Sequence, residues 1–505
     1  MKGPRIHFQL GVLFGALVLV ALETILEVHV SGTDVFLFKE AGINLATKGK
    51  FVASFLPHMM FGEERPFAYY PPLYPFIFGI WSWIVGVGLK QSLFFDSLLT
   101  IGRTLLMLRL VVPTLPESFF SKKQWAIRWG AGLLFCLLSL VSTDQDRPDE
   151  LALIWGLLLC FSLNSEKPLR LKIPLSAMFL AFVGATSPAC GVLFAIVVGV
   201  WSLTQTRSIS CLLGIGIGSL FFWGLTVMPV LLHDMTSGIR FSKQAGISSF
   251  PYLRYLPNSW TLNDLLRAWG SDLNRFLGSG KSYLFVSLGT LSLAPFLLLH
   301  YRSPRLEMRQ VLLIAAIIYT LIVPLVWTLQ PYYLWFGSIV LMTGIFQYQN
   351  KLKLKMQALL LVSSFVFLTP LFFWESKCVL NALEVPKSEQ LEEIRKAVLA
   401  EIEPQARMAV THDQYFTFRP LKEVVNVDYW MHEANRLDYL YITDLPDSRR
   451  QVPRKRQLLS EKDQPCFELV KDFSTYTPIH VLGYKTKYFV RGNGGSLFRN
   501  ICKQS

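Results

Sequence analysis

The chain has 505 residues, 52% of them hydrophobic and only 17% charged, with a mean hydropathy of +0.39. Apolar runs near the length that crosses ~30 Å of hydrocarbon recur throughout, which excludes an ordinary soluble enzyme and points to a polytopic membrane protein. The formal net charge of +14 would suit nucleic acid, but the Lys and Arg residues fall mostly in short loops between apolar runs. There they orient a membrane protein and meet anionic lipid, so membrane lipids are the expected partner and nucleic acid is not.

The first apolar run begins near Phe8, after Lys2 and Arg5, and no small-residue cleavage site follows it. It reads as a retained signal-anchor helix with a cytoplasmic N-terminus. By apolar length, about eleven spans are predicted, near 8–27, 97–115, 126–142, 150–164, 172–187, 190–205, 209–232, 282–300, 309–328, 331–348 and 354–374. Segment 74–89 is apolar enough to be another, but charge decides against it. The basic clusters at Lys122/Lys123/Arg128, Lys167/Arg170/Lys172, Arg207, Arg302/Arg305/Arg309 and Lys351/Lys353/Lys355 share the N-terminal side only if 74–89 does not cross. Tyr74, Phe76, Trp81 and Trp83 suit a helix lying in the interface.

This topology puts residues 28–96, residues 233–281 and everything after Trp374 on the outer, extracytoplasmic (periplasmic) face of a plasma or inner membrane. The tail turns polar, with a helical stretch at 388–403 and strand-like runs at 408–411, 437–442, 467–470, 479–482 and 488–490. The expected organisation is a transmembrane catalytic domain over 1–375 and a soluble extracytoplasmic α/β domain over 376–505, large enough for its own core. Of the seven cysteines, Cys136, Cys160, Cys190 and Cys211 lie in or beside apolar spans, where they pack. Cys378, Cys466 and Cys502 stand in the tail, where one disulfide at most can form. No Cys/His spacing matches a zinc site.

The residues that could carry chemistry gather on the outer face. Asp34 sits just beyond the first span, upstream of the run Tyr69, Tyr70, Pro71, Pro72, Leu73, Tyr74 and Pro75. A carboxylate pressed against the bilayer in this way suits an acid or base that meets a substrate held by its lipid tail; the alternative is a plain helix cap. The loop 143–150 holds Asp144, Asp146, Arg147, Asp149 and Glu150. Such a set can bind a divalent cation through oxygen or position an acceptor, or simply start a helix. Cations for a phosphate are Arg103, Arg147, Arg240, Lys243 and Arg254, the last three interleaved with Phe241, Tyr252, Tyr255 and Trp260 for sugar stacking. Arg109 lies deeper and is expected to snorkel or pair, with Glu23 and Glu27 as possible partners. His29 and His58 with Glu63 or Glu64 form a weaker metal candidate, and His412 with Asp413 reads as surface.

The order, spacing and common sidedness of the Asp34 loop and the Arg147, Pro148, Asp149 run resemble the GT-C glycosyltransferases, nearest the lipid A aminoarabinose transferase and protein O-mannosyltransferase branches. The likeness covers roughly the first 210 residues. It implies an all-α polytopic membrane fold with juxtamembrane helices in the first outer loop and a small C-terminal α/β extracytoplasmic domain. It also implies an inverting membrane glycosyltransferase that moves a sugar from a polyprenyl-phosphate-linked donor to a lipid, glycan or protein acceptor, as in building a cell envelope glycan. On the matching positions Asp34 is the base or the carboxylate that positions metal or acceptor, and Asp149 is the second acidic residue. The expected substrate-binding residues are Tyr70, Arg103 and Arg147 with, by their composition alone, Arg240, Lys243 and Arg254 of the long outer loop, for which ordinary interfacial anchors are the alternative. Many relatives carry adjacent acids where this chain has Asp34 and Val35, a departure that weighs against metal binding by the first loop alone; Glu40 and Asp146 are the candidate ligands for a divalent cation (Mg or Mn). Two other classes compete: a transporter or flippase for a lipid-linked sugar, and a non-catalytic membrane scaffold. The absence of paired half-repeats argues against the first, and the outer-face acids argue against the second.

Overall fold

The computed structural model describes residues 3–26, 38–53, 65–66, 71–115, 117–120, 124–139, 147–233, 307–326, 331–347, 354–384, 391–403, 405–411, 415–419, 423–426, 437–443, 466–473, 476–481, 484–491 and 495–502, with isolated positions at 263, 267, 270 and 421. The chain divides into two compact units. The first comprises 1–21, 68–74 and 96–375, and the second 22–67, 75–95 and 376–505.

Among the described residues, twelve α-helices precede the C-terminal part: α1 (Gly3–Ile25), α2 (Glu40–Lys48), α3 (Leu73–Val85), α4 (Leu89–Val111), α5 (Trp125–Leu138), α6 (Asp149–Asn164), α7 (Leu169–Gly184), α8 (Pro188–Trp201), α9 (Ile209–His233), α10 (Met308–Val326), α11 (Pro331–Phe346) and α12 (Leu354–Glu384). Every predicted span is represented by one of them except 282–300, which lies outside the described residues. Length qualifies the expected count. Among the described residues, only Pro4–Ile25, Pro188–Thr206 and Ile209–Met228 are long and apolar enough to cross a membrane alone. Among the others, α6 and α7 have 16 residues each, α6 opening on two acids and α7 carrying Pro174, whereas α4, with 23, is interrupted by Lys90, Asp96, Arg103 and Arg109. The figure of about eleven crossings is therefore not established by helix length.

Two kinds of surface distinguish the helices of the first unit. Leu10, Phe14 and Leu17 of α1, and Leu213, Ile217, Leu220 and Phe221 of α9, point outward. Water would not tolerate such continuous apolar faces, and hydrocarbon would. In contrast, α10 and α11 turn Val311, Leu312, Ala315, Ala316, Trp335, Phe336, Ile339 and Val340 into a closed core. Helix α3 has 13 residues, which rise only ~20 Å and cannot cross ~30 Å of hydrocarbon.

In the second unit, α2 crosses α3 at van der Waals distance. A Cβ on Gly42 would stand 2.1 Å from the Pro75 carbonyl oxygen and 2.8 Å from the Gly79 nitrogen, so only glycine permits the crossing. Helix α3 then packs on the start of α4 through Phe78 against Phe95 and Trp81 against Phe94, and Trp81 Nε1 donates to the Gln91 carbonyl. Helix α4 begins at Leu89, well before the predicted 97, and polar side chains of its early turns are buried with partners: Ser92 accepts from Lys39 and Asp96 from Tyr74. A two-residue ladder, β1 (Val52–Ala53) with β2 (Arg65–Pro66), follows α2.

The C-terminal part holds α13 (Leu391–Leu399), β3 (Arg407–Val410), α14 (Tyr415–Phe418), β4 (Glu423–Asn426), β5 (Tyr439–Thr443), β6 (Phe467–Asp472), β7 (Tyr476–Val481), β8 (Tyr484–Arg491) and β9 (Gly495–Asn500). Five strands form one sheet in the order β4-β3-β5-β9-β6, in which β4, β3 and β5 run parallel and β9 is antiparallel to both β5 and β6. Strand β5 is buried throughout, and Ala409, Val425, Leu440, Ile442 and Phe467 form the core. A disulfide joins Cys466 to Cys502, which closes the ends of the β6–β9 pair. Strands β4 and β9 were not expected. The first is a short edge strand with polar ends, and the second starts on glycine and has no continuous apolar run.

Candidate functional site

The first unit assembles its polar residues around the start of α6. Asp149 and Glu150 are consecutive on a helix, so their side chains diverge by about 100° and reach different neighbours. Both also favour a helix N-terminus, where the backbone dipole is positive. Glu150 takes Arg103 of α4, whose Nη1 donates to both carboxylate oxygens at 2.8 and 3.0 Å. The same guanidinium donates through Nη2 to the Leu138 carbonyl at the end of α5 and lies over the Trp335 ring of α11. Arg103 is fully buried and Glu150 nearly so. One ion pair thus ties four helices together.

Asp149 turns the other way. Its Oδ2 accepts from Arg147 Nε and its Oδ1 from Ser187 Oγ, each at 2.8 Å. Ser187 is the residue before α8, in extended conformation with Pro188 following it, the usual place for a capping hydroxyl. Here that hydroxyl caps nothing and binds Asp149 instead. The α7–α8 turn is fixed further by Thr186 Oγ1 donating to Phe182 O, and Ala185 O accepts from the Leu73 backbone at the start of α3. Beside these, Tyr74 donates its hydroxyl to Asp96 Oδ1 at 3.0 Å. The result is a buried, ordered charged cluster where α5 ends and α6 begins. Buried ionised groups of this kind stay charged only when paired.

The second unit carries its own polar group on α2. Lys39, fully buried, donates to Ser92 Oγ at 2.7 Å and lies over the Phe78 ring. Glu40 and Asn44, a turn apart, are buried as well. Asn44 donates to Val52 O at 2.9 Å and accepts from Arg419 Nη2 at 2.7 Å. Arg419 in turn faces the ring of Tyr415. Burial pushes the Tyr415 phenol well above its usual range, with Arg419 opposing the rise and Glu40 adding to it, so it stays protonated.

Of the residues singled out from sequence, Arg103, Arg147, Asp149 and Glu40 are placed as above. Asp34, Tyr70, Asp146, Arg240, Lys243 and Arg254 lie outside the described residues. Arg109 reaches Gln9 Oε1 at 3.5 Å, a neutral partner on α1. Among the described residues no three His, Cys, Asp or Glu side chains converge as metal ligands. Asp149 and Glu150 are each directed to a guanidinium. Sequence reasoning passed over Ser187, Asn44 and Arg419. The serine had a signal, a hydroxyl directly before proline at a predicted helix start. The other two had none, since they lie 375 positions apart.

No family model matches the chain, and no curated protein matches it. Among solved structures it is similar to ArnT from Cupriavidus metallidurans bound to undecaprenyl phosphate, at 12% identity over 97% of this chain and 98% of that one, with a TM-score of 0.49. It is similar to the apo ArnT at 10% identity and a TM-score of 0.47, again over 97% and 98%. A mutant of the arabinofuranosyltransferase AftD from Mycobacteria matches at 14% identity and a TM-score of 0.46, over 96% of this chain and 41% of that one. At these identities the likeness identifies no residue and no substrate.

Proposed function

We propose that this chain is a membrane glycosyltransferase that moves a sugar from a polyprenyl-phosphate-linked donor to an acceptor on the extracytoplasmic face. The observation that carries the reading is the buried cluster of Arg147, Asp149 and Ser187 beside Arg103 and Glu150, set among helices with apolar outer faces. Ionised groups inside a membrane bundle are costly and mark functional sites by default. The donor class and the role of Asp34 come from the sequence resemblance.

In the proposed step Asp34 takes the proton of the acceptor hydroxyl or amine. That atom forms its bond to the anomeric carbon on the face opposite the phosphate. The bond from that carbon to the phosphate oxygen breaks, and polyprenyl phosphate leaves with the electron pair, so the configuration inverts. Arg147 is the cation for the leaving phosphate. Asp149, which accepts from Arg147 Nε, orients that guanidinium. Arg103, locked on Glu150, holds the scaffold of the site. A divalent cation, if required, would rest on Asp34, Asp146 or Glu40 and would supply charge neutralisation at the phosphate. The disulfide between Cys466 and Cys502 favours an oxidising compartment for the tail.

Full-length protein in detergent tests the reading, given polyprenyl-phosphate pentoses and hexoses together with an envelope lipid extract as acceptor. Release of polyprenyl phosphate that disappears in Asp34→Asn supports it. Movement of intact lipid-linked sugar across a liposome bilayer without release would replace it with the transporter.

A further inference from the structure

We propose that Arg419 is a positioning residue for the first outer loop, and that the C-terminal sheet acts on the reaction through it. The inference rests on the reading that this loop carries the chemistry. Its geometric basis is the contact between Arg419 Nη2 and Asn44 Oδ1 at 2.7 Å, which joins positions far apart in sequence within one compact unit.

The sheet presents this contact from a particular edge. Strands β3 and β5 are parallel neighbours, and at their carboxyl ends Thr411, just past β3, and Thr443, the last residue of β5, share a hydrogen bond at 2.7 Å. The carboxyl edge of parallel strands is where open α/β sheets ordinarily receive ligands. Here the chain leaving β3 at that edge forms α14 and delivers Tyr415 and Arg419. The guanidinium lies against the Tyr415 ring, 5.7 Å from its centroid, which fixes its direction before it meets Asn44. What it meets is a short helix. Helix α2 has nine residues, too few to be stable alone, and no side chain caps its N-terminus. Among its attachments are Lys39 to Ser92 at its start, Asn44 to Val52, the glycine crossing against Pro75, and Arg419. In sequence, Asp34 precedes the first residue of α2, Glu40, by six positions. A brace that sets where α2 sits therefore sets where the following and preceding loop segments begin. Arg419 would touch no substrate and would still govern turnover.

The test uses full-length protein with three variants: Arg419→Ala, Arg419→Lys and Asn44→Ala. In Arg419→Ala, kcat is expected to fall on the order of tenfold to a hundredfold, the size of effect a misplaced catalytic group produces, with donor KM within about twofold. Arg419→Lys keeps a donor and should recover part of kcat. Combining Arg419→Ala with Asn44→Ala should cost little more than either alone. Hydrogen exchange supplies a readout independent of activity: amides of residues 40–48 should exchange faster in Arg419→Ala while β5 stays protected. Unchanged kcat in Arg419→Ala overturns the proposal, as does a loss of folded protein with normal activity per folded molecule. Should Arg419→Ala fail to express, a normal kcat in both Arg419→Lys and Asn44→Ala would overturn it equally. If instead Asp34→Asn keeps full activity, the underlying reading of the loop fails, and exchange at 40–48 still reports whether the brace exists.

Discussion

The ion pair between Arg103 and Glu150 sets up a quantitative test. Both oxygens of Glu150 accept from one guanidinium nitrogen at 2.8 and 3.0 Å, and the two side chains are 0% and 4% exposed. Glu150→Gln keeps the size of the side chain and one acceptor oxygen but leaves a guanidinium without its counter-charge. Breaking such a buried pair from one side costs roughly 3–5 kcal/mol, because the remaining charge stays desolvated. The pair between Lys396 and Glu393 on α13 is the internal control. Its side chains are 61% and 41% exposed, so Glu393→Gln should change stability by no more than about 1 kcal/mol. Replacing both buried partners, Arg103→Met with Glu150→Leu, removes the penalty and should lie near wild type or above it by about 1–4 kcal/mol. Titration from mild detergent into dodecyl sulfate, followed by helical circular dichroism, reads all three. A Glu150→Gln variant within about 1 kcal/mol of wild type would mean that water reaches this pair, and the buried hub at the start of α6 would be wrong. A double replacement as damaging as the single one would equally refute the desolvation argument.

Other expectations follow from the same geometry. Cys466→Ser opens a loop spanning 36 residues and should destabilise the C-terminal sheet by roughly 4 kcal/mol on the chain-entropy estimate, visible as an earlier unfolding step or as reductant sensitivity of the wild type. Cysteines introduced at the exposed positions Val87 and Glu392 should both react with an impermeant thiol reagent from outside the cell, in a background cleared of reactive native thiols; labelling at 87 only after membrane rupture would mean that α3 belongs to a crossing. Arg147→Ala should raise the apparent donor KM by the loss of charge-assisted hydrogen bonds worth roughly 1.5–3 kcal/mol, whereas Asp149→Ala lowers kcat as well. Equal effects of the two on expression alone, with normal kinetics per folded molecule, would make the cluster purely structural.

The helices of the first unit were legible because each is written in an apolar run, and the run fixes where a helix must be even when it does not fix how long the helix is; α2, nine residues long and half polar, has no such run. Arg103 and Asp149 were legible as residue types out of place, charges beside apolar segments. Their partners were not. From sequence, Glu150 and Asp149 look like interchangeable members of an acidic loop, and Arg103 looks like a cation for phosphate. Only the helical angle between consecutive residues separates them, sending Glu150 to Arg103 and Asp149 to Arg147 and Ser187. The same limit hid β4 and β9, whose place in the sheet depends on neighbours distant in sequence and not on their own composition.

That division of two adjacent carboxylates bears on mechanism. A membrane site that handles a phosphate needs positive charge near the reacting bond, yet an unpaired guanidinium in a bundle would be too costly to keep. Pairing Arg103 with Glu150 commits one arginine to holding α4, α5, α6 and α11 together. Asp149 then serves the second arginine through Nε, with Ser187 sharing the carboxylate. One guanidinium is thereby committed to the scaffold, and the other is held in a set orientation at the end of the bundle. Exchanging the acids, Asp149→Glu with Glu150→Asp, keeps composition and net charge but changes both reaches by one methylene. If orientation is what matters, the exchange should cost both stability and turnover; if the loop only needs negative charge at a helix start, it should cost neither.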